Sequence, residues 1–423
     1  MESNQSLVTG AANSAQFATV ERARVNIAVC GRFHYHNYLR FVDRRGFLNA
    51  FYYSHKVSAD AASLGIGFEQ AINCWPKEYL IRAHGMLMRG WLIPEFAPLY
   101  GDLWQISALK RWRRCDVLHL MLHGTGLKMM GHAKHEGAEV VVEAVNQHPQ
   151  GFNEIMHEEA DRLGLKRRRA LYRIQERQIE EAAAADFLLA PSRIVRDSFV
   201  KRGFRRSRTA VLPYGVDLNR FCPTYNPDRS DRTFRVICVA QISPRKGHIY
   251  LLEAWKRLRL HNAELMLIGA ISYDMNTILR PYGGLFRHIQ SVPNHQLIKY
   301  YGRSSVCVLP TLEDGCAVVT GEAMACGLPI ITTFNNGAAD IVTHGKDGFV
   351  VPIRSPEAIV EHLETLYRDE ELRQEMARAA LNKAQSELSW ETYACRLCAL
   401  YASLLKAKKG SDPSTQAEAE TAS

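Results

Sequence analysis

No stretch of this chain stays apolar for the roughly 18–20 residues that a bilayer-spanning helix needs. The opening segment, MESNQSLVTGAANSAQFATVERAR, lacks a basic region followed by an apolar block, so no signal peptide is predicted and the expected setting is the cytosol. Paired metal-ligand spacings are also missing: Cys395 and Cys398 form a lone C-x-x-C in a helical segment, with no second pair spaced to complete a zinc site. Most of the ten cysteines sit in apolar runs such as NIAVC, VICVA and SVCVLP, where a thiol acts as a small hydrophobe. The one glycine-rich candidate for a dinucleotide loop, HGTGLKMMG (123–131), reads G-x-G-x₄-G and follows a late strand. A Rossmann dehydrogenase needs G-x-G-x-x-G after the first strand, so that class is set aside. Any recognisable nucleic-acid-binding motif is absent too.

What is present describes an ordinary globular protein of two or three domains: 423 residues, 47% apolar and 23% charged. Net charge is +9, and it is unevenly placed. Residues 1–220 hold 31 Lys and Arg against 22 Asp and Glu, while residues 221–423 hold 22 of each. The excess lies in clusters of the first half, KRWRR (110–114), KRRR (166–169) and KRGFRRSR (201–208). Such a half can meet anionic lipid, a phosphorylated substrate or nucleic acid, or simply present solvated helix faces. Four of the six tryptophans fall in 74–112 beside KRWRR, a mixture that suits a lipid interface or a helical core with a wet rim.

Near-continuous apolar strands alternate with helices through both halves, which predicts parallel sheets covered on both faces. First-half strands are predicted at 24–30, 48–54, 116–122, 139–145, 186–192 and 209–215, with a clear helix at 171–185. After a turn-rich linker the pattern restarts, with strands at 234–242, 263–269, 288–293, 305–311, 329–333 and 348–352. The expected organisation is therefore α/β, two Rossmann-like αβα domains facing each other across a cleft. The first spans 1–215, a linker 216–232 and the second 233–390. A C-terminal helix at 391–408 has the option of crossing back to the first domain, and a disordered tail is expected at 409–423.

Two constellations carry chemistry. In EDGCAVVTGEAMACGLPII (313–331), a loop leaves the carboxyl end of a buried strand and runs into a short helix, where α/β folds build their sites. Thr320 is predicted to cap that helix and Glu322 to lie in its first turn, where free N–H groups favour anions. Glu322 can accept both hydroxyls of a ribose, the amides near it can face a diphosphate, and Asp314 can reach an attached sugar. In VAQISPRKGHIYLLEAW (239–255), Pro244 turns the chain and Arg245–Lys246–Gly247 open a helix, placing cations to neutralise a phosphate leaving group.

These segments resemble the family 4 glycosyltransferases of the GT-B fold. The family's E-x₇-E motif with EAMACG-x-P is matched by Asp314-x₇-Glu322 with AMACGLP, and QISPRKG resembles its lysine-glycine segment. LPYGVDLNRF resembles its linker, and NNGAADIVTHGKDGFVV its donor-side loop. The resemblance is close over about 190–390 and holds only in outline for the first half. It implies that Glu322 binds the nucleotide ribose, Asp314 the donor sugar and Lys246 the diphosphate, with Arg245, Gly31, Gly315, Gly321, Asn336 and Gly337 also on the donor side. It further implies a retaining, metal-independent transfer of a hexose from a nucleotide-diphosphate sugar, with no cofactor. No Asp-x-Asp, the metal motif of the other major glycosyltransferase fold, occurs in the chain. Gln241 stands where many members have Arg, and Asp314 is one carbon shorter than the common Glu.

In the first half, VCGRFHYHNYLRFVDRRG (29–46) runs a strand into Gly31 and then a helix. Arg32, His34 and His36 are the candidate acceptor contacts. His148, after the strand of VVVEAVNQHPQG (140–151), is placed as a catalytic-side histidine near the reacting sugar, with a backbone-bonded loop histidine as the competing reading. Glu143 is a weaker candidate because it can fall within the strand. The expected function is glycosyl transfer to a glycan or lipid-linked acceptor in cell-surface polysaccharide biosynthesis, with peripheral contact to the inner membrane face and no nucleic acid partner. The alternative is a non-catalytic sugar-nucleotide-binding scaffold of a polysaccharide assembly complex.

Overall fold

The computed structural model describes residues 22–31, 33–55, 61–87, 93–166, 172–223 and 233–410. Seven strands form the first sheet: β1 (Val25–Val29), β2 (Leu48–Tyr53), β3 (Ala71–Asn73), β4 (Val117–Met121), β5 (Glu139–Glu143), β6 (Phe187–Ala190) and β7 (Thr209–Val211). Six form the second: β8 (Phe234–Val239), β9 (Ala263–Ile268), β10 (Arg287–Ile289), β11 (Val306–Leu309), β12 (Ile330–Thr333) and β13 (Gly348–Val351). Their orders are β3-β2-β1-β4-β5-β6-β7 and β10-β9-β8-β11-β12-β13, with every pairing parallel. The chain is α/β, two Rossmann-like αβα lobes.

The apolar runs explain the strands. All five residues of β1 and β4 and all four of β11 are buried, as a strand covered on both faces requires. Alternation then divides each strand between two cores. Val117 and Met121 of β4 face one layer of helices, and Leu118 and Leu120 the other. The predicted strands are present, mostly one to four residues shorter. The short edge strand β3 is new, because its three residues are too few for a period to show.

The lobes share one core. A continuous cluster joins Ile27 and Val141 of the first sheet to Leu212, Tyr214 and Val216, then to Ile237 and Leu309 of the second. The helix Trp390–Gly410 completes it, lying along the first-lobe helix Tyr35–Arg44. Tyr393, Leu397 and Tyr401 of the crossing helix belong to this core. Gly215 lies where a β-carbon would stand 2.7 Å from the Trp390 backbone, and the Val216 amide donates to Leu388 O at 2.6 Å. The rest of the predicted linker (224–232), the basic run 167–169 and the tail (411–423) lie outside the described residues.

Candidate active site between the lobes

In the second sheet the connections reverse between β8 and β11, so the loops leaving these neighbouring strands open a crevice at their carboxyl ends. Pro244–Lys246 makes one tight turn after β8, and Gly247 follows at φ 66°. A β-carbon on Gly247 would lie 2.0 Å from Pro310 O, so only glycine lets the two loops touch. The Leu312 amide donates to Arg245 O at 2.9 Å. This stitching aligns two cations with two carboxylates: Arg245 Nη1 lies 3.1 Å from Glu313 Oε2, and Lys246 Nζ pairs with Asp314.

Glu313 has no exposed surface, and its second oxygen accepts from the Gln147 amide of the first lobe at 3.1 Å. Burial pushes its carboxyl above the ordinary range, while Arg245 pulls it back. Gly315 lies tight against the first lobe, since a β-carbon there would stand 1.9 Å from Val145 O. Its carbonyl accepts from Ser192 Oγ at 2.6 Å, and Gly337 packs so tightly on it that a β-carbon would meet Gly315 O at 1.9 Å. Asn336 caps the following turn, its Oδ1 accepting from the Ala338 amide at 3.1 Å. Asn336 Nδ2 is buried without a partner among the described residues. Arg354 and Tyr250 close a further contact on buried Glu159 of the first lobe, each at 2.9 Å.

The helix after this loop spans Val318–Ala325, so it begins earlier than predicted. Ala317 is its N-cap and makes no side-chain cap; Thr320 lies inside the first turn with its hydroxyl buried and unpartnered among the described residues. Glu322 therefore falls in the second turn, not the first, and the dipole argument for it weakens. Its oxygens accept from Asn294 Nδ2 at 2.8 Å and Tyr301 OH at 3.1 Å, and Arg220 Nη1 donates to Asn294 Oδ1 at 2.9 Å. Burial raises its pKa against both hydrogen bonds. Gly321 is spent on packing, with a β-carbon position 3.2 Å from Val216 Cβ.

The first lobe reverses between β1 and β4. Gly31 follows β1 at φ 146°, and Arg32 lies outside the described residues. His36 is exposed, its ring edge-on to Tyr35 at 5.7 Å. His34 Nε2 is 2.9 Å from Glu143 Oε1, and its ring is boxed by Tyr214 at 4.1 Å and Trp390 at 5.7 Å. Glu143 ends β5, and its other oxygen meets His119 Nε2 at 3.2 Å. Burial opposes its ionisation, but His34 and His119 hold it well below the usual carboxylate range. His119 Nδ1 in turn meets Tyr401 OH at 2.5 Å. This cluster ties β4, β5, the linker and the crossing helix.

His148 sits at the start of a helix in the first lobe. It caps the helix Pro149–Arg162, Nδ1 accepting from the Gln150 amide at 3.3 Å, and its ring lies on Phe199 at 5.1 Å. Burial and the nearby Arg202 lower its pKa to about 4. The parts of this loop that meet the second lobe are backbone, Val145 O and the Gln147 amide. The histidine that sequence reasoning missed is His123, just past β4 at the reversal point. Its ring centroid is 4.4 Å from that of Phe33, its Nε2 is buried without a partner among the described residues, and burial lowers its pKa to about 4. Position alone, at the carboxyl end of a strand beside β1, was the available signal.

The loop HGTG does form an anion nest, but the anion is internal: Glu181 Oε2 accepts from the Gly124 amide at 2.6 Å, and Oε1 from the Gly126 amide. Burial pushes Glu181 up to about 7, with these amides opposing. Among the described residues no group of three or more His, Cys, Asp or Glu is arranged to hold a metal, and no helix is long and apolar enough to cross a membrane.

Comparison with known proteins fits this geometry. The family model described as "Glycosyl transferases group 1" matches residues 226–383, and "Glycosyltransferase Family 4" matches 72–220. A GDP-mannose-dependent alpha-(1-6)-phosphatidylinositol monomannoside mannosyltransferase of Mycolicibacterium smegmatis is 27% identical over 248 residues, 53% of this chain and 64% of that protein. The capsular polysaccharide biosynthesis glycosyltransferase CapM of Staphylococcus aureus is 30% identical over 210 residues, 47% of this chain and 53% of that protein. The chain thus spans between half and two thirds of the length of these curated relatives. Among solved structures, a sucrose-phosphate synthase of Thermosynechococcus elongatus superposes with TM-score 0.66 at 17% identity, over 91% of this chain and all of that one. HepE of Anabaena in complex with UDP gives 0.63 at 14% identity, over 90% of this chain and all of that one. At these identities the two structures speak to the fold alone.

Proposed function

Since the chain belongs to the family 4 glycosyltransferases of the GT-B fold, we propose that it transfers a hexose from a nucleotide-diphosphate sugar to a glycan or lipid-linked acceptor. Anomeric configuration is retained, and the product feeds cell-surface polysaccharide. The observation that carries the reading is the pairing of Arg245 with Glu313 and Lys246 with Asp314 at the reversal of the second sheet. These two ion pairs hold both cations at the position a diphosphate takes in this reading. When a donor enters, Lys246 exchanges Asp314 for a phosphate oxygen, and the freed carboxylate takes the sugar hydroxyls. Glu322 exchanges Asn294 and Tyr301 for the ribose hydroxyls.

Cleaving the sugar–phosphate bond builds negative charge on the diphosphate, and preorganised cations at that point lower the barrier. Two side-chain cations supply this charge, so the reading is metal-independent and needs no cofactor. The departing phosphate accepts the proton of the attacking hydroxyl on the same face, which retains configuration without a protein nucleophile. His123 Nε2 and Asn336 Nδ2, both unpartnered among the described residues, are hydrogen-bonding groups offered one from each lobe. Lobe contact at Gly315 limits the access of water to the reacting centre in this reading.

A lipid-linked acceptor fits a second observation. Trp75, Tyr79 and Leu80, with Met86, Phe96 and Leu99, leave a helical hairpin of the first lobe unusually apolar, 50% exposed at Trp75 and 85% at Met86. Exposed aromatics near Arg111, which donates to Asn73 O at 2.7 Å, suit peripheral docking on an anionic bilayer. The deciding experiment is a thermal-shift screen against UDP-, GDP- and ADP-sugars, followed by nucleoside diphosphate release with acceptor. Stabilisation by one donor and turnover support transfer; stabilisation without turnover over an acceptor panel makes the chain a binding scaffold; no stabilisation overturns both.

A further inference from the structure

The groove lined by His148 has no part in that chemistry. It lies wholly within the first lobe and encloses about 490 Å³. Its floor is the small-residue end of the helix Arg173–Ala184, including Ala182 and Ala183, with Phe199 and Phe204 as walls and Arg202, Arg205 and Arg208 around it. Two of these guanidiniums are fixed by carboxylates. Arg202 Nη2 donates to both oxygens of Glu154, at 2.9 and 2.8 Å, and Nη1 to Ser198 O at 3.3 Å. It lies against Gly151, where a β-carbon would stand 3.1 Å from Nη1. Arg208 Nη2 is 3.2 Å from Glu139 Oε1. Arg205 is exposed and has no carboxylate partner among the described residues. The one acidic lining residue, Asp186, is already taken by Lys134 and the Val140 amide, at 2.7 and 2.9 Å.

We propose that this groove binds a phosphorylated small molecule, its phosphate among the three arginines and its organic part on the alanine floor between the phenylalanines. Guanidinium forks match the oxygens of a phosphate better than other side chains do. A bare phosphate would leave most of this volume empty, so the ligand carries a group about the size of glycerol or a hexose. The phosphate ester can come from a free metabolite or from a lipid headgroup. The site also has a route to the interlobe cleft. The amide of Gln147, next to His148, donates to buried Glu313, so an occupant sits one residue from the lobe contact.

The test is calorimetric titration of the full chain in phosphate-free buffer with glycerol 3-phosphate and glucose 1-phosphate, beside co-sedimentation with phosphatidylglycerol vesicles. Arg205→Ala should weaken ester binding roughly tenfold, the loss of one charge-assisted contact. Ala183→Leu, at an exposed helical position, should abolish it by filling the floor. Both variants should keep wild-type melting temperature and nucleotide binding. Soluble-ester binding that depends on both residues identifies a metabolite. Vesicle binding that depends on both, and is competed by the soluble esters, identifies a headgroup. Absence of saturable binding of the soluble esters, or ester binding that neither substitution changes, overturns the proposal.

Discussion

Replacing Arg245 by methionine strips the cation from a carboxylate with no exposed surface. Removing one member of a buried pair costs about 3–5 kcal/mol. The Arg245 side chain is 30% exposed, and screening by water reduces the expected loss to about 2–3 kcal/mol. Spread over roughly 360 residues of two lobes that share a core, at about 2.1 cal/mol/K per residue, this lowers the melting temperature by about 3–4 °C. The pH dependence follows from Glu313, whose folded-state pKa burial already raises and Arg245 lowers. Without Arg245 that pKa rises further above its unfolded value. A group shifted in this sense favours the fold below the unfolded pKa and loses that benefit as pH rises through the folded one. The deficit should therefore be largest near pH 8 and shrink toward pH 5, as read by scanning calorimetry. Adding Glu313→Gln to the same chain should recover much of it. A deficit equal at both pH values, or no recovery in the double variant, would refute the reasoning.

Lys246→Ala and Glu322→Ala should each lower kcat/KM by at least about a hundredfold while circular dichroism stays unchanged; near-normal turnover in either removes these residues from the site. Gly315→Val should separate the lobes, because a β-carbon has only 1.9 Å to Val145 O, and small-angle scattering should show a larger radius of gyration. Trp75→Ser with Tyr79→Ser should release the chain from anionic vesicles without altering donor binding, and raised salt should weaken docking of the wild type. Tyr401→Phe removes the hydroxyl that meets His119 and should cost about 1–2 kcal/mol in chemical denaturation.

The apolar runs made both sheets legible, since a strand covered on two faces announces itself locally. The loops after β8 and β11 were legible for the same reason: each leaves a strand that is easy to see, and Arg245, Lys246 and Asp314 travel with it. What stayed hidden depends on partners far along the chain. Glu181 fills the Gly124–Gly126 nest from 55 residues away or more, and Tyr401 reaches His119 across 282. No local period encodes either pairing. The error at Thr320 was of another kind: a good capping residue lies inside a helix begun by tertiary packing, where propensity is overridden. His148 was placed by its strand end alone, and the Ser198 hydroxyl that accepts from its backbone amide sits on a helix 50 residues on.

The crossing helix Trp390–Gly410 orders events during synthesis. The ribosome emits the whole first sheet long before Tyr393 and Tyr401 exist to cover Tyr38 and His119. Until that helix emerges, the nascent amino-terminal half carries a buried-type acid–imidazole group and an uncovered aromatic face in water. Such an intermediate invites chaperone capture and self-association, and it finishes maturing only after that helix has been made.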